Sequence, residues 1–160
     1  MNNDQKILFN SLHTQYHGMV MQVCLGYMNG NRYLAEDLVQ EVFINTWNAL
    51  SNFRGDSSHK TWIYRITVNT CLLYIRDKKD VQNSLDEEQV QHLPFHENEP
   101  KKYDSLYKAI GELPPVERLI IMMFLEELEY EEISKIIGIT EINLRVKIHR
   151  IKKKLKELLK

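Results

Sequence analysis

The stretch AEDLVQEVFINTWNALSNFRGDSSHKTWIYRITVNTCLLYIR, residues 35–76, decides how this chain folds. In its first half, and just before it, Leu34, Ala35, Leu38, Val39, Val42, Phe43, Trp47 and Leu50 recur at three- and four-residue steps. That is the period of an amphipathic helix with one buried stripe. Glu36, Asp37, Gln40 and Glu41 fall mostly on the other face. Between Ser51 and Lys60 the pattern breaks, with Ser, Asn, Gly and Asp gathered around Gly55, as in an exposed loop. Trp62, Ile63, Ile66, Val68, Leu72 and Ile75 then restart a helical period. The second helix is the more basic one: Arg54, Lys60, Arg65, Arg76, Lys78 and Lys79 outnumber Asp56 and Asp77, and they alternate with Trp62, Tyr64 and Tyr74. Cations for phosphates and flat rings for bases suit single-stranded nucleic acid. Periodicity alone is met equally by a hairpin whose tryptophans are core and whose charges form a solvated face.

On the N-terminal side, Ile7, Leu8, Leu12, Tyr16, Met19, Val20, Val23 and Tyr27 keep a helical period up to Met28, and Asn29, Gly30 and Asn31 end it. This helix is expected to pack on Ala35 to Leu50. His13 and His17 stand four apart, as do His92 and His96, a spacing that can chelate a metal. No carboxylate or cysteine joins the first pair, and Pro94 breaks the helix that would align the second. Neither is taken as a metal site, and no cofactor is implied. Cys24 and Cys71, with no CxxC spacing, are expected to fill core gaps rather than form a disulfide framework.

The whole chain of 160 residues is 43% hydrophobic and carries a formal net charge of −1. It is therefore globular, and any affinity for nucleic acid has to be local rather than global. The opening MNNDQKILFN lacks the basic and apolar sections of a signal peptide, and the apolar run from Leu119 to Leu125 is too short to span a bilayer. The expectation is a cytoplasmic protein without membrane insertion.

On the C-terminal side, DKKDVQNSLDEEQVQHLPFHENEPKK, residues 77–102, is polar and acid-rich, with Pro94 and Pro100 and no sustained apolar period. It reads as a flexible linker with room for a short helix around Leu85 to Val90. Past it, a helix is expected to begin at Pro114 or Pro115. A helix-turn-helix pattern comes next: Tyr130 to Ile137 as one helix, Gly138 at the turn, and Thr140 as N-cap of the last helix. Leu144, Ile148, Ile151 and Leu155 make the inward stripe of that helix. Ile142, Asn143, Val146, His149, Arg150 and Lys153 face outward, flanked by Arg145 and Lys147. From Arg145 to Lys160 there are eight Lys or Arg and one Glu, whereas Glu126 to Glu132 is acidic. The positive charge is concentrated where reading a major groove needs it, although a lysine-rich C-terminal helix also complements its own dipole.

Taken together, AEDLVQEVF, FRGDSS, TWIYRI and VNT closely resemble region 2 of the extracytoplasmic-function (ECF) sigma factors of bacterial RNA polymerase. LPPVERLIIMMF, YEEISKIIGIT and LRVKIHRIKKKLKE resemble sigma region 4 in the same order. The departures are Glu129 in place of a small hydroxyl residue, Ile142 where glycine is common and Val146 where serine is common; they bear on the promoter sequence read. The resemblance implies an all-α protein of two small helical domains: region 2 over 1–76, a linker over 77–102 and region 4 over 103–160. It implies binding to RNA polymerase core enzyme through Asp37, Gln40 and Glu41. It implies capture of a flipped minus-10 base by the loop holding Arg54, Gly55, Asp56, Ser57, Ser58 and Lys60, with Trp62, Arg65 and Asn69 along the strand. For minus-35 recognition in promoter DNA it implies Asn143, Arg145, Val146, Lys147, His149 and Arg150, and it adds an anti-sigma factor as a further candidate partner.

An alternative from another class is a self-sufficient helix-turn-helix regulator that binds duplex DNA as a dimer. An enzyme finds no support, because no metal cluster, phosphate-binding glycine loop or nucleophile with its base is present in the sequence.

Overall fold

A computed structural model of the chain describes residues 2–82 and 103–160, the side chains of 75–82 excepted. Among the described residues there are seven α-helices and no strand. Helix α1 spans Asn3–Tyr27 and starts from a capping box, in which Asn2 Oδ1 accepts from the Gln5 amide at 2.9 Å and the Gln5 side chain accepts from the Asn2 amide. Asn29 and Gly30 both adopt left-handed backbone, with φ of 61° and 78°, and turn the chain into α2, Arg32–Ala49. Asn31 caps α2 through the Leu34 amide at 3.1 Å. After one short 3-10 turn over Leu50–Asn52, α3 runs His59–Gln82 and continues past the boundary expected at Arg76. Ser58, which accepts from the Thr61 amide, opens it four residues before the apolar pattern begins at Trp62.

Residues 83–102, with the short helix expected around Leu85 to Val90, lie outside the described residues. The chain resumes in α4, Asp104–Gly111, which the sequence reading did not foresee. Helix α5, Pro115–Leu125, starts at the proline pair as expected. Helices α6, Tyr130–Ile137, and α7, Glu141–Leu158, then form the helix-turn-helix: Gly138 sits at φ 84° and the Thr140 hydroxyl accepts from the Asn143 amide.

The expected stripes are buried. Helices α1, α2 and α3 pack on one another through Val20, Val23, Leu38, Val42, Ile63 and Val68, while Leu119, Ile120, Met123, Ile133, Leu144 and Ile148 close the C-terminal half. Each such side chain contributes about 1.5–3 kcal/mol by leaving water. Buried threonines are satisfied within their own helices: Thr46 and Thr67 donate to Val42 and Ile63 carbonyls, both at 2.8 Å. Cys24 and Cys71 fill the core as expected, but α1 and α3 bring them together, and burial followed by the neighbouring Cys24 pushes the Cys71 thiol up.

The halves do not stand apart. Helix α1 packs on α4 and α5, and α3 packs on α5 and α6, so the buried residues form one continuous core. Arg118 of α5 donates to the carbonyls of Leu113, at 2.7 Å, and of Tyr27 at the end of α1, at 3.1 Å. The Tyr107 hydroxyl donates to the Gln22 side chain at 2.7 Å.

Candidate nucleic-acid interface

The first face begins at Gly55, whose φ of 77° lets the loop turn back without a side-chain clash. That turn returns Phe53 to the start of α3, with its ring centroid 4.7 Å from His59 and 4.8 Å from Trp62. The three rings make an aromatic platform at the base of the loop. Arg54, Asp56 and Ser58 are exposed beside it, and Ser57 is half-buried. Farther along α3, Trp62, Arg65 and Asn69 recur at steps of three and four and share one side of the helix; Trp62 packs partly against the core, Arg65 is half-buried and Asn69 is exposed. A bond from the Asn45 amide to the Thr70 hydroxyl, 3.0 Å, ties this part of α3 to α2. Lys60 is set apart from that group. At 100° per residue it falls on the opposite side of α3, and its charge acts on Glu126 of the C-terminal half.

The second face is the outward side of α7. Asn143, Arg145, His149 and Arg150 are exposed, as is Val146, and Lys147 is half-buried. Ile142 is 76% exposed, a large apolar side chain held in water at the start of the helix that a major groove would receive. Two cations are steadied by rings: the Arg145 guanidinium lies 4.7 Å from the Tyr130 centroid and the Lys152 ammonium 4.1 Å from that of Phe124. Arg145 is thereby tied to α6, whereas Arg150 extends from α7 with no ring beneath it among the described contacts.

The third face is on α2, where Asp37, Gln40 and Glu41 are exposed as the sequence implied. Tyr33 and Ile44 share that side, Ile44 being 53% exposed. Their signal was present as apolar residues lying off the buried stripe, four before and seven after Asp37. Phe53 and His59 lie within the Phe53 to Lys60 loop expected to take the flipped base, but neither was given a role of its own. Only the return of the loop shows that they stack on Trp62. Gln40 and Ile44 also border a groove of about 690 Å³ between α1 and α2, lined with Phe9, His13, Phe43 and Trp47. His13 and His17 lie in this groove against Phe43, 4.5 Å and 6.1 Å between centroids. Among the described residues no group of three or more possible ligands could hold a metal ion, and no helix is long and apolar enough to cross a membrane.

Comparison with known proteins gives the family of both halves. Residues 12–81 match the Sigma-70 region 2 family and residues 103–155 the Sigma-70 region 4 family. The chain is 32% identical over 139 residues to the ECF RNA polymerase sigma factor SigM of Bacillus subtilis, covering 82% of this chain and 83% of that protein. It is 32% identical over 162 residues to the ECF RNA polymerase sigma-E factor of Escherichia coli, covering 92% and 83%. With SigE of Mycolicibacterium smegmatis it shares 30% identity over 140 residues, and it spans about half of that relative, 54% of its length. The fold is that of sigma factor RpoE from Bartonella quintana, solved with the anti-sigma factor NepR: TM-score 0.75, 21% identity, 94% of this chain and 96% of that one. CnrH, solved with the cytosolic domain of CnrY, aligns at TM-score 0.68 and 18% identity over 96% and 88%. Two sigma regions matched in order, and two relatives 32% identical over 83% of their length, give the assignment: the chain belongs to the ECF family of RNA polymerase sigma factors.

Proposed function

We propose that the three exposed faces divide the work of an alternative sigma factor, a protein that binds RNA polymerase core and directs promoter-specific transcription initiation. Asp37, Gln40 and Glu41 dock on the clamp helices of the core enzyme, with Ile44 and Tyr33 adding apolar contact. The loop from Phe53 to Lys60 takes a flipped minus-10 base, and Trp62, Arg65 and Asn69 follow the melted strand. Asn143, Val146, His149 and Arg150 read the minus-35 duplex, with Arg145 and Lys147 beside them. In domain terms, 1–76 melts, 103–160 reads duplex and 77–102 joins them. The chain acts by binding in the cytoplasm and performs no reaction of its own. A partner of the anti-sigma kind, as NepR is for RpoE, is the further expectation.

The observation that carries this reading is the Phe53–His59–Trp62 platform beside exposed Asn69. An unpaired base needs a stacking surface, and a protein that only reads duplex does not. A dimeric helix-turn-helix repressor leaves that platform without use. Run-off transcription with purified core on a promoter library is the test. Promoter-specific transcripts that appear only when both chain and core are present are expected; tight duplex binding by a dimer without core would overturn the reading.

A further inference from the structure

Helix α7 turns Leu144, Ile148, Ile151 and Leu155 inward, and polar side chains are the ordinary filling of the side opposite. Two positions there are not polar. Ile142 is 76% exposed and Val146 45% exposed. A single apolar side chain in water is common, but these two stand together. At about 100° per residue, positions four apart fall on one line of the helix, and the line through Ile142 and Val146 runs opposite the buried stripe. His149 and Lys153, both exposed, continue that line toward the C-terminus. Arg145 flanks it on one side, packed on the Tyr130 ring, and Asn143 and Arg150 flank it on the other. The midline of the outward face therefore begins with two apolar side chains, and polar groups rim them. They are also the two positions of this helix at which the sequence departs from the small residues common in the family.

Place along the helix gives this pair its meaning. A recognition helix presents its N-terminal residues to base edges, and Ile142 and Val146 fall within the first two turns after the Thr140 cap. On the floor of a major groove the apolar group is the C5 methyl of thymine. Isoleucine and valine offer no hydrogen bond, so against a G·C pair they would take water from polar edges and return nothing. The spacing agrees. Four residues advance about 6 Å at about 1.5 Å each, and base pairs rise about 3.4 Å, so the two side chains reach methyls one or two base pairs apart. Asn143, exposed beside them, carries the amide that suits adenine, the partner of thymine. Charge complements the fit, because the eight Lys or Arg between Arg145 and Lys160 draw the helix to phosphates.

Resting on the reading of α7 as the duplex-reading helix, we propose that Ile142 and Val146 are specificity-determining residues that select two thymines, one or two base pairs apart, by packing on their C5 methyl groups. Ile142 thereby joins the minus-35 residues, and Val146 acquires a defined chemistry among them. Arg145 and Arg150 hold the helix in register on either side, while the apolar pair decides which bases lie under its first turns.

The test uses the full chain with polymerase core. Wild type selects minus-35 sequences from a randomised duplex library, and the preferred duplex is rebuilt with deoxyuridine in place of one thymine at a time. Uracil keeps every hydrogen-bonding edge of thymine and lacks only the methyl. Wild type is expected to bind about fourfold more weakly when either of two thymines is replaced, the worth of one buried methyl. Ile142→Ser should lose that response at one of the two and Val146→Ser at the other, each keeping its response at the remaining site. Both residues are exposed, so circular dichroism and melting temperature should stay close to wild type. Uracil without effect at every thymine overturns the proposal, and it is also the result if the apolar pair meets a protein instead of DNA. An equal uracil effect in wild type and both serine variants overturns it as well, since another side chain then reads the methyl. Failure of the sigma reading looks different: selection proceeds without core, and the same uracil comparison on the duplex bound by the chain alone still decides whether Ile142 and Val146 read methyls.

Discussion

Helix α3, which carries the residues proposed to follow the melted strand, is enclosed by α1, α2, α5 and α6, whereas α7, which carries those proposed to read duplex, rests on its neighbours by the single stripe Leu144, Ile148, Ile151 and Leu155. The contrast fits the two proposed tasks. A base that has left its stack is received by a pocket already formed, because every loose side chain ordered on binding costs free energy. Trp62 is accordingly braced by Phe53, and Thr70 by Asn45. A helix that enters a groove needs only a firm back and an open front, and α7 has both.

The largest effect should come from attacking the enclosure of α3. Ile63, fully buried, should cost about 2–5 kcal/mol when changed to Ala. Ile151→Ala on α7 should fall nearer the lower end, because a site at the edge of the bundle can collapse around the loss. Urea denaturation of both variants checks this; equal losses would remove the contrast. Next in size, Arg150→Ala should lose roughly 1–3 kcal/mol of minus-35 discrimination while strand opening, once bound, is spared. Asn69→Ala should do the reverse, keeping closed-complex binding and reducing permanganate reactivity of the melted region. If the two outcomes are exchanged, the assigned roles are reversed.

A smaller effect lies in the acidic turn between α5 and α6. Glu127 holds left-handed backbone, φ 64°, which a side chain with a Cβ adopts at a cost. Glu127→Gly should stabilise the chain by about 0.5–1 kcal/mol in thermal unfolding, whereas Asn29→Gly should change little, asparagine tolerating that conformation.

The smallest effect concerns pH. Burial, and after it the charge of His17, lowers the pKa of His13 from its ordinary value of 6.5. As pH falls through that value, the unfolded chain takes up the proton before the folded one does. The stability involved is therefore complete above the ordinary value and is lost as pH falls toward the folded one. His13→Asn should flatten the slope of melting temperature between about pH 7 and 5. A slope unchanged by the substitution would assign it to other groups.

How much of this could be read from the sequence depends on the distance between the interacting residues. The amphipathic stripes, Gly138 at the turn, Thr140 as a cap and the proline start of α5 involve partners within about four residues, so local pattern states them. Helix α4 was missed because its apolar residues, Leu106, Ala109 and Ile110, are too few to establish a period. The aromatic platform required a loop to reverse, which set Phe53 on Trp62 where only Trp62 had been assigned. The side of α3 on which Lys60 lies mattered only once Glu126 was opposite it.

The sequence by itself determined the seven-block sigma pattern, two helical units, and a chain whose positive charge is gathered at the C-terminal end. Tertiary structure alone decided that the units pack together, that Cys24 meets Cys71, and that the hydroxyls of Tyr27 and Tyr64 are enclosed without hydrogen-bond partners among the described residues. The physical reason is that helix period is set by neighbours one turn away. The contacts of Tyr107 with Gln22 and Arg118 with Tyr27 join residues 85 and 91 positions apart, and they depend on the complementary shapes of finished helices.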